Sequence, residues 1–313
     1  MWTCGEVKKQ GWSNLSKSLW TGVLITLVFL FISGFFAYGQ NFVSMMKMRL
    51  QFTGDMSSME DLQYYLSNYG TNSSALMNSS SVMLLNLLSS LLGLLSLAAT
   101  FLLINPVSVG YSRWFLTNRR EGEKADFNLL FSSFRQGSYA GILAGTAWVT
   151  LWTLIWSLVA GLCFIPFYVV IIAAIFSIIM TAGTYAGSGV SMDQSVLVDK
   201  LMSIAPGLII AFVIALLVGI AGYLAIIINR KYAYFFTSFI LAENPTIGAK
   251  NALDLSKRMT QGMKGRLFVL DLSFIGWWLL SSLTCGILSL GVMPYTYAAY
   301  TEVYMSRKAE QNI

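Results

Sequence analysis

From Gln136 to Met192 the chain reads QGSYAGILAGTAWVTLWTLIWSLVAGLCFIPFYVVIIAAIFSIIMTAGTYAGSGVSM, 57 consecutive residues without a charged side chain. A soluble fold buries apolar residues in short periodic segments, whereas about 20 consecutive apolar residues are what a helix needs to cross the ~30 Å hydrocarbon core of a bilayer. Four more uncharged runs of 29 residues or longer flank it, at 18–46, 62–112, 201–229 and 272–301. Charged residues make up 11% of the 313, against about a quarter in soluble domains. The chain therefore reads as an all-α integral membrane protein, one polytopic domain over 1–313.

The charges that remain set the expected topology. Lys8, Lys9 and Lys17 precede an apolar block from Ser18 to about Tyr38, which places the N-terminus on the cytoplasmic side. Ala37-Tyr38-Gly39 resembles a signal-peptidase site, but the block exceeds the 7–15 residues of a signal h-region and reads as an uncleaved span. The polar stretch 39–81 is an external loop, in which Ser58-Met59-Glu60-Asp61 and the spacing of Met59, Leu62 and Leu66 fit either a short surface helix or a flexible loop. Val82 to Ile104 is the second span.

Two basic segments, 105–138 and 244–266, belong inside, so an even number of crossings lies between them. Two crossings make 139–185 one kinked element. Four use every apolar block, with Pro166 and the Gly/Ser-rich run 183–191 as breaks. A last hairpin at Gly286–Gly291 returns Arg307 and Lys308 to the inside. The expected architecture is a bundle of about six transmembrane helices, or eight with four middle crossings, plus two cytoplasmic in-plane amphipathic helices. In the first of these, Asp126 is the N-cap and Phe127, Leu130, Phe131 and Phe134 form a stripe that suits the membrane interface or another helix. Gly141–Gly145 and Gly183–Gly187 match GxxxG spacing, weak evidence for close helix packing.

Composition excludes several chemistries. Histidine is absent, which removes the commonest general base and transition-metal ligand. Cys4, Cys163 and Cys285 stand alone, without CxxC spacing, so neither a metal nor a redox pair is implied. No cofactor is expected. The net charge of +6 follows from cytoplasmic Lys and Arg rather than from nucleic-acid binding, since no basic run is interleaved with aromatics. No HExxH, GxSxG or P-loop spacing occurs, and no catalytic residue is assigned.

From Phe239 the chain runs FILAENPTIGAKNALDLSKRMTQGMKGRLFVLDLSFIGWWLL. Glu243-Asn244-Pro245, Ala252-Leu253, Ser256, Met259, Gly262, Phe268 to Trp277 and Pro294-Tyr295, together with Asn105-Pro106 and Gly110-Tyr111 upstream, resemble the bacterial membrane family catalogued as domain of unknown function 975. Gly262-Met263-Lys264-Gly265 lacks the Trp of the family's Gly-x-Lys-Trp turn, and 139–228 looks expanded. The resemblance implies six or so transmembrane helices in the bacterial cytoplasmic membrane and no established activity.

Read physically, Pro245 ends one helix and Thr246 can cap the next. Ala252, Leu255 and Met259 line one face of that helix, and Asp254 precedes Lys257 and Arg258 at pairing distance. Arg113, Arg119, Arg120, Lys250, Lys257, Arg258, Lys264 and Arg266 are the candidate contacts to anionic lipid, each nearby cation contributing about 1 kcal/mol. Asp271 lies inside a span, where a carboxylate costs on the order of 2.5–3.5 kcal/mol at the centre and less near the interface. It needs a partner: Arg266, Lys264 or Arg113. It reads either as an ion relay or as a structural ion pair, and Glu302 likewise. Trp277, Trp278, Tyr295, Tyr297, Tyr300 and Tyr304 read as an aromatic groove or as ordinary interfacial aromatics.

The expected function is non-catalytic organisation of anionic membrane lipid, or of a membrane-protein partner or a second copy, with both termini cytoplasmic. The alternative is a transporter or channel. The two Asn-Pro elements, each between an apolar block and a basic helix, hint at the internal repeat such proteins use.

Overall fold

The computed structural model describes residues 2–51, 80–121, 125–135, 137–187 and 194–311. The expected surface helix around Met59–Leu66 lies outside them. The fold is all-α, with no strand among the described residues. The chain forms two compact units. One comprises Met1–Ala147, Phe236–Met259 and Phe268–Ile313, the other Trp148–Phe235 and Thr260–Leu267.

Helix α1 (Cys4–Ser16) opens with a capping box in which Thr3 and Glu6 satisfy each other's backbone N–H. It meets the first part of α2 (Leu19–Gln51) at 95°. Helix α3 (Ser80–Ala99) continues through a π turn, Thr100–Ile104, into α4 (Asn105–Glu121). The cause of that turn is Pro106, which has no N–H to donate and would crowd the carbonyl four residues back. The ladder widens ahead of it, with the Asn105 N–H reaching the Thr100 carbonyl. The helix survives the proline, and Asn86–Glu121 is one rod of 36 residues.

Helix α4 is the centre of the first unit. Tyr111, Trp114 and Phe115 are buried with Leu15, Ile25, Leu130 and Ala298 in one apolar cluster. The Tyr111 ring lies 4.9 Å from Phe29 and 4.7 Å from Tyr297, and its hydroxyl is 2.8 Å from Thr26 Oγ1. Gly110 makes this packing possible, because a Cβ there would sit 1.9 Å from the Leu130 carbonyl oxygen. Leu130 belongs to a 3-10 helix, Phe127–Phe134. Asp126 caps it as expected, accepting from the Asn128 N–H, a bond that holds the Asp126 carboxyl below the ordinary range.

Helix α5 (Tyr139–Gly161), a 3-10 turn and α6 (Ile165–Gly187) follow, then α7 (Gln194–Ala233) and the short α8 (Thr237–Glu243). In the second unit α6 packs along α7. Gly219 and Gly222 of α7 admit Phe164 and Cys163, and a Cβ at Gly222 would lie 2.9 Å from the Cys163 sulfur. Arg230 stacks 3.4 Å over the Trp156 ring. In the first unit Gly141 and Gly145 meet the end of α8. A Cβ on Gly141 would stand 2.2 Å from the Pro245 carbonyl oxygen, and one on Gly145 2.7 Å from the Leu241 side chain. Their GxxxG spacing is thus a close-packing device within the chain. The surroundings of Gly183 and Gly187 lie outside the described set.

The remaining helices are α9 (Ala249–Thr260), α10 (Lys264–Leu272), α11 (Ile275–Leu283) and α12 (Ser289–Gln311). Between α11 and α12 the chain reverses. Asp271 meets Tyr300 and Phe274 meets Tyr295, pairs whose numbers run in opposite directions about the turn. The expected hairpin forms there, through Schellman bonds from Gly286 N to Ser281 O and from Cys285 N to Ser282 O. Cys285 takes the left-handed position itself, at φ +52°.

The span count expected from sequence is corrected. Four helices among the described residues are long and apolar enough to cross a bilayer: Asn86–Glu121, Tyr139–Ser177, Pro206–Glu243 and Lys264–Leu283. The bent pair of α1 and α2 makes a fifth if counted as one span. Among the described residues six to eight are not present. Pro166 falls in the first turn of α6, where its missing N–H is not needed, so 139–177 runs on as one element. Helix α12 carries Glu302, Arg307 and Lys308 and falls short of the apolar criterion. The short amphipathic helix expected within the basic segment 105–138 is present as the 3-10 helix Phe127–Phe134, while α4 ahead of it continues the rod begun by α3.

Candidate functional site

The acids and cations of the first unit meet at the end of α4. Glu302 on α12 is 3% exposed and accepts from Arg119 Nε at 2.9 and 3.0 Å and from Asn14 Nδ2 at 2.8 Å. Glu243 at the end of α8 accepts from Tyr304 Oη at 2.8 Å, from Lys308 Nζ at 2.6 Å and from Arg120. Burial, reinforced by the Glu243 carboxylate, pushes the Tyr304 phenol far above its ordinary pKa and keeps it a donor. A desolvated carboxylate is tolerable only when paired in this way. The network ties α1, α4, α8 and α12 together.

A second pattern is made by cations at helix ends. Arg113 Nε donates to the Ala242 carbonyl at the end of α8 at 2.8 Å, and its Nη1 to Ser132 Oγ. Arg307 Nε donates to the Met259 carbonyl of α9 at 2.9 Å. Lys8 Nζ donates to the Ser273 carbonyl and hydroxyl, where α10 breaks before α11, and lies 4.3 Å from the Phe274 ring centroid. Short helices leave their last carbonyls without partners, and a cation there supplies both a donor and a favourable charge.

The sequence-assigned residues therefore separate. Arg113, Arg119 and Arg120 each donate to protein groups, Arg113 half-buried and Arg119 and Arg120 still exposed. Lys264 donates to Asn229 Oδ1 at 2.6 Å within the second unit, and Arg266 is half-buried. Asp271, also half-buried, accepts from Tyr300 Oη at 2.5 Å, a hydroxyl partner not anticipated among the three cations. Lys250 and Arg258 are exposed on α9, and Lys257 pairs with Asp254 at 3.0 Å. The apolar side of α9 is used up by protein: Ala252, Leu253 and Met259 are buried, and Ser256 Oγ accepts from the Phe236 N–H at the start of α8. Thr246 does not cap α9; its N–H and hydroxyl are held by Asn244 Oδ1.

The aromatic groove dissolves into packing. Tyr304 stacks on Phe239 at 5.4 Å and Tyr297 lies against Tyr111, while Trp277 and Trp278 face outward. Sequence reasoning missed α1 altogether, although Thr3 and Glu6 carry the spacing of a capping box. Among the described residues no group of three His, Cys, Asp or Glu is placed to hold a metal ion.

The long apolar helices define a multi-pass α-helical membrane protein. Residues 1–311 match the family described as Protein of unknown function (DUF975), and the chain belongs to it. No curated protein and no solved structure gives a match.

Proposed function

We propose that the protein binds and organises anionic lipid in a bacterial cytoplasmic membrane without catalysing a reaction, its N-terminus and α9 lying on the cytoplasmic side. The observation that carries this reading is the outer face of α9. Because the apolar stripe of α9 is consumed by packing, the helix does not insert, and it presents Lys250, Lys257 and Arg258 from a fixed platform. Cations held near an anionic leaflet attract it without a folding cost at each encounter. The test is thermal unfolding of the full-length protein in nanodiscs as phosphatidylcholine is replaced by phosphatidylglycerol. The wild-type midpoint rises with the anionic lipid, and K250Q/K257Q/R258Q abolishes most of that rise. An equal rise in the variant overturns the reading.

A second reading, transport of a small solute or lipid, draws on the break between α10 and α11, because discontinuous helices with a nearby carboxylate recur in transporters. It requires that Asp271→Asn abolish flux in proteoliposomes while the fold and lipid dependence stay intact.

A further inference from the structure

A different surface, on α1 and α2, runs from charged groups through a tryptophan to purely apolar side chains, as a phospholipid runs from headgroup through glycerol to acyl chains. The buried edge of α1, Val7, Gly11 and Leu15, is pressed on α12 so closely that a Cβ at Gly11 would lie 2.8 Å from the Ala299 nitrogen. Lys8 is turned inward to Ser273. Lys9 and Lys17 remain exposed, Lys17 at the bend itself. With α2 crossing a bilayer, the 95° bend lays α1 along the membrane surface.

Beyond the bend, α2 turns outward Trp20, which is 83% exposed, then Leu24, Leu27, Phe31 and Phe35. Steps of three and four residues put all five on one stripe. Its opposite side is spoken for, with Ile25 and Thr26 buried against α4. At 1.5 Å per residue the stripe is about 22 Å long, enough to line the ~15 Å of hydrocarbon in one leaflet. Tryptophan settles at the headgroup boundary, and here it separates the cations from the apolar run.

We propose that this stripe is a binding site for one anionic phospholipid, with its phosphate at Lys17, its glycerol region against Trp20 and its acyl chains along Leu24 to Phe35. Lys9, two turns back on α1, strengthens the preference for an anionic leaflet. The proposal rests on the reading of the protein as a lipid binder but uses a different helix from α9. A phospholipid fits better than a partner helix because the stripe is graded from charge to hydrocarbon along its length.

The experiment releases the full-length protein from nanodiscs of equal phosphatidylglycerol and phosphatidylcholine into a native mass spectrometer. Wild type should retain a phosphatidylglycerol, K9Q/K17Q should lower that retention about tenfold, and K250Q/K257Q/R258Q should leave this one lipid in place. Quenching by bromine-labelled lipids, taken as the difference between wild type and W20F, should be stronger with phosphatidylglycerol than with phosphatidylcholine. Matching unfolding midpoints confirm that the variants are folded. Undiminished retention in K9Q/K17Q, equal quenching by the two lipids, or a second protein copy retained in place of lipid would overturn the proposal. If K9Q/K17Q loses the lipid while the α9 variant keeps its wild-type response to phosphatidylglycerol, only the α9 reading fails.

Discussion

Lys8 Nζ and the Ser273 carbonyl, 265 positions apart in the chain, meet at 3.1 Å. The first helix of the protein thereby closes the gap between two of its last. The ammonium also faces the Phe274 ring, so one side chain supplies a donor, a charge at a helix end and a cation–π contact. Lys8→Met should loosen the break by about 1–2 kcal/mol. Hydrogen exchange of the amides at 274–278 reads this directly: they should exchange about tenfold faster, while those of α4 do not change.

Gly110→Ala should be among the most damaging small substitutions in the chain. Its Cβ would overlap the Leu130 carbonyl, and backbone on both sides leaves no flexible side chain to yield. A loss of more than about 3 kcal/mol is expected, in the range of overpacked cores. Gly276→Ala, where nothing lies within 4 Å, should leave the unfolding midpoint unchanged and serves as the comparison.

Glu302→Leu removes the acceptor shared by Arg119 and Asn14. Breaking a buried pair costs about 3–5 kcal/mol. The Arg119 side chain is 35% exposed and can rehydrate, so about 2 kcal/mol is expected here. Thermal unfolding in detergent should show a midpoint lower by several degrees. The double variant Arg119→Leu with Glu302→Leu should recover part of the loss, because no charge is then stranded.

Cys285→Gly should stabilise the α11–α12 hairpin by about 1 kcal/mol, since a side chain in the left-handed region pays a steric penalty that glycine avoids. Cys285→Val should go the other way by at least as much. Unfolding midpoints of the two variants, measured side by side, should bracket the wild type.

The membrane class, the hairpin at Gly286, the Asp126 cap and the Asp254–Lys257 pair were legible because each depends on neighbours in sequence. The span count was not. Asn105-Pro106 reads locally as a helix end, yet a π turn absorbs it, and Pro166 is harmless in a first turn. The site was legible in its residue types and not in its partners. That α8 and α12 bring Glu243 and Glu302 to Arg120 and Arg119 could not be read from the chain, because the partners lie more than 120 positions away. Tyr300 as the partner of Asp271 follows only from the hairpin, which sets positions 271 and 300 side by side.

The continuity of α3 and α4 has a mechanical consequence. At 1.5 Å per residue the 36-residue rod Asn86–Glu121 is about 54 Å long, against ~30 Å of hydrocarbon. Its far end bears Tyr111, Trp114 and Phe115, the heart of the first unit. When the bilayer thins or thickens, a helix accommodates the mismatch by changing its tilt. This one would swing the whole packed unit with it, as a lever transmits the motion of its short arm. Membrane thickness would thus be felt well beyond the lipid by residues that never touch it.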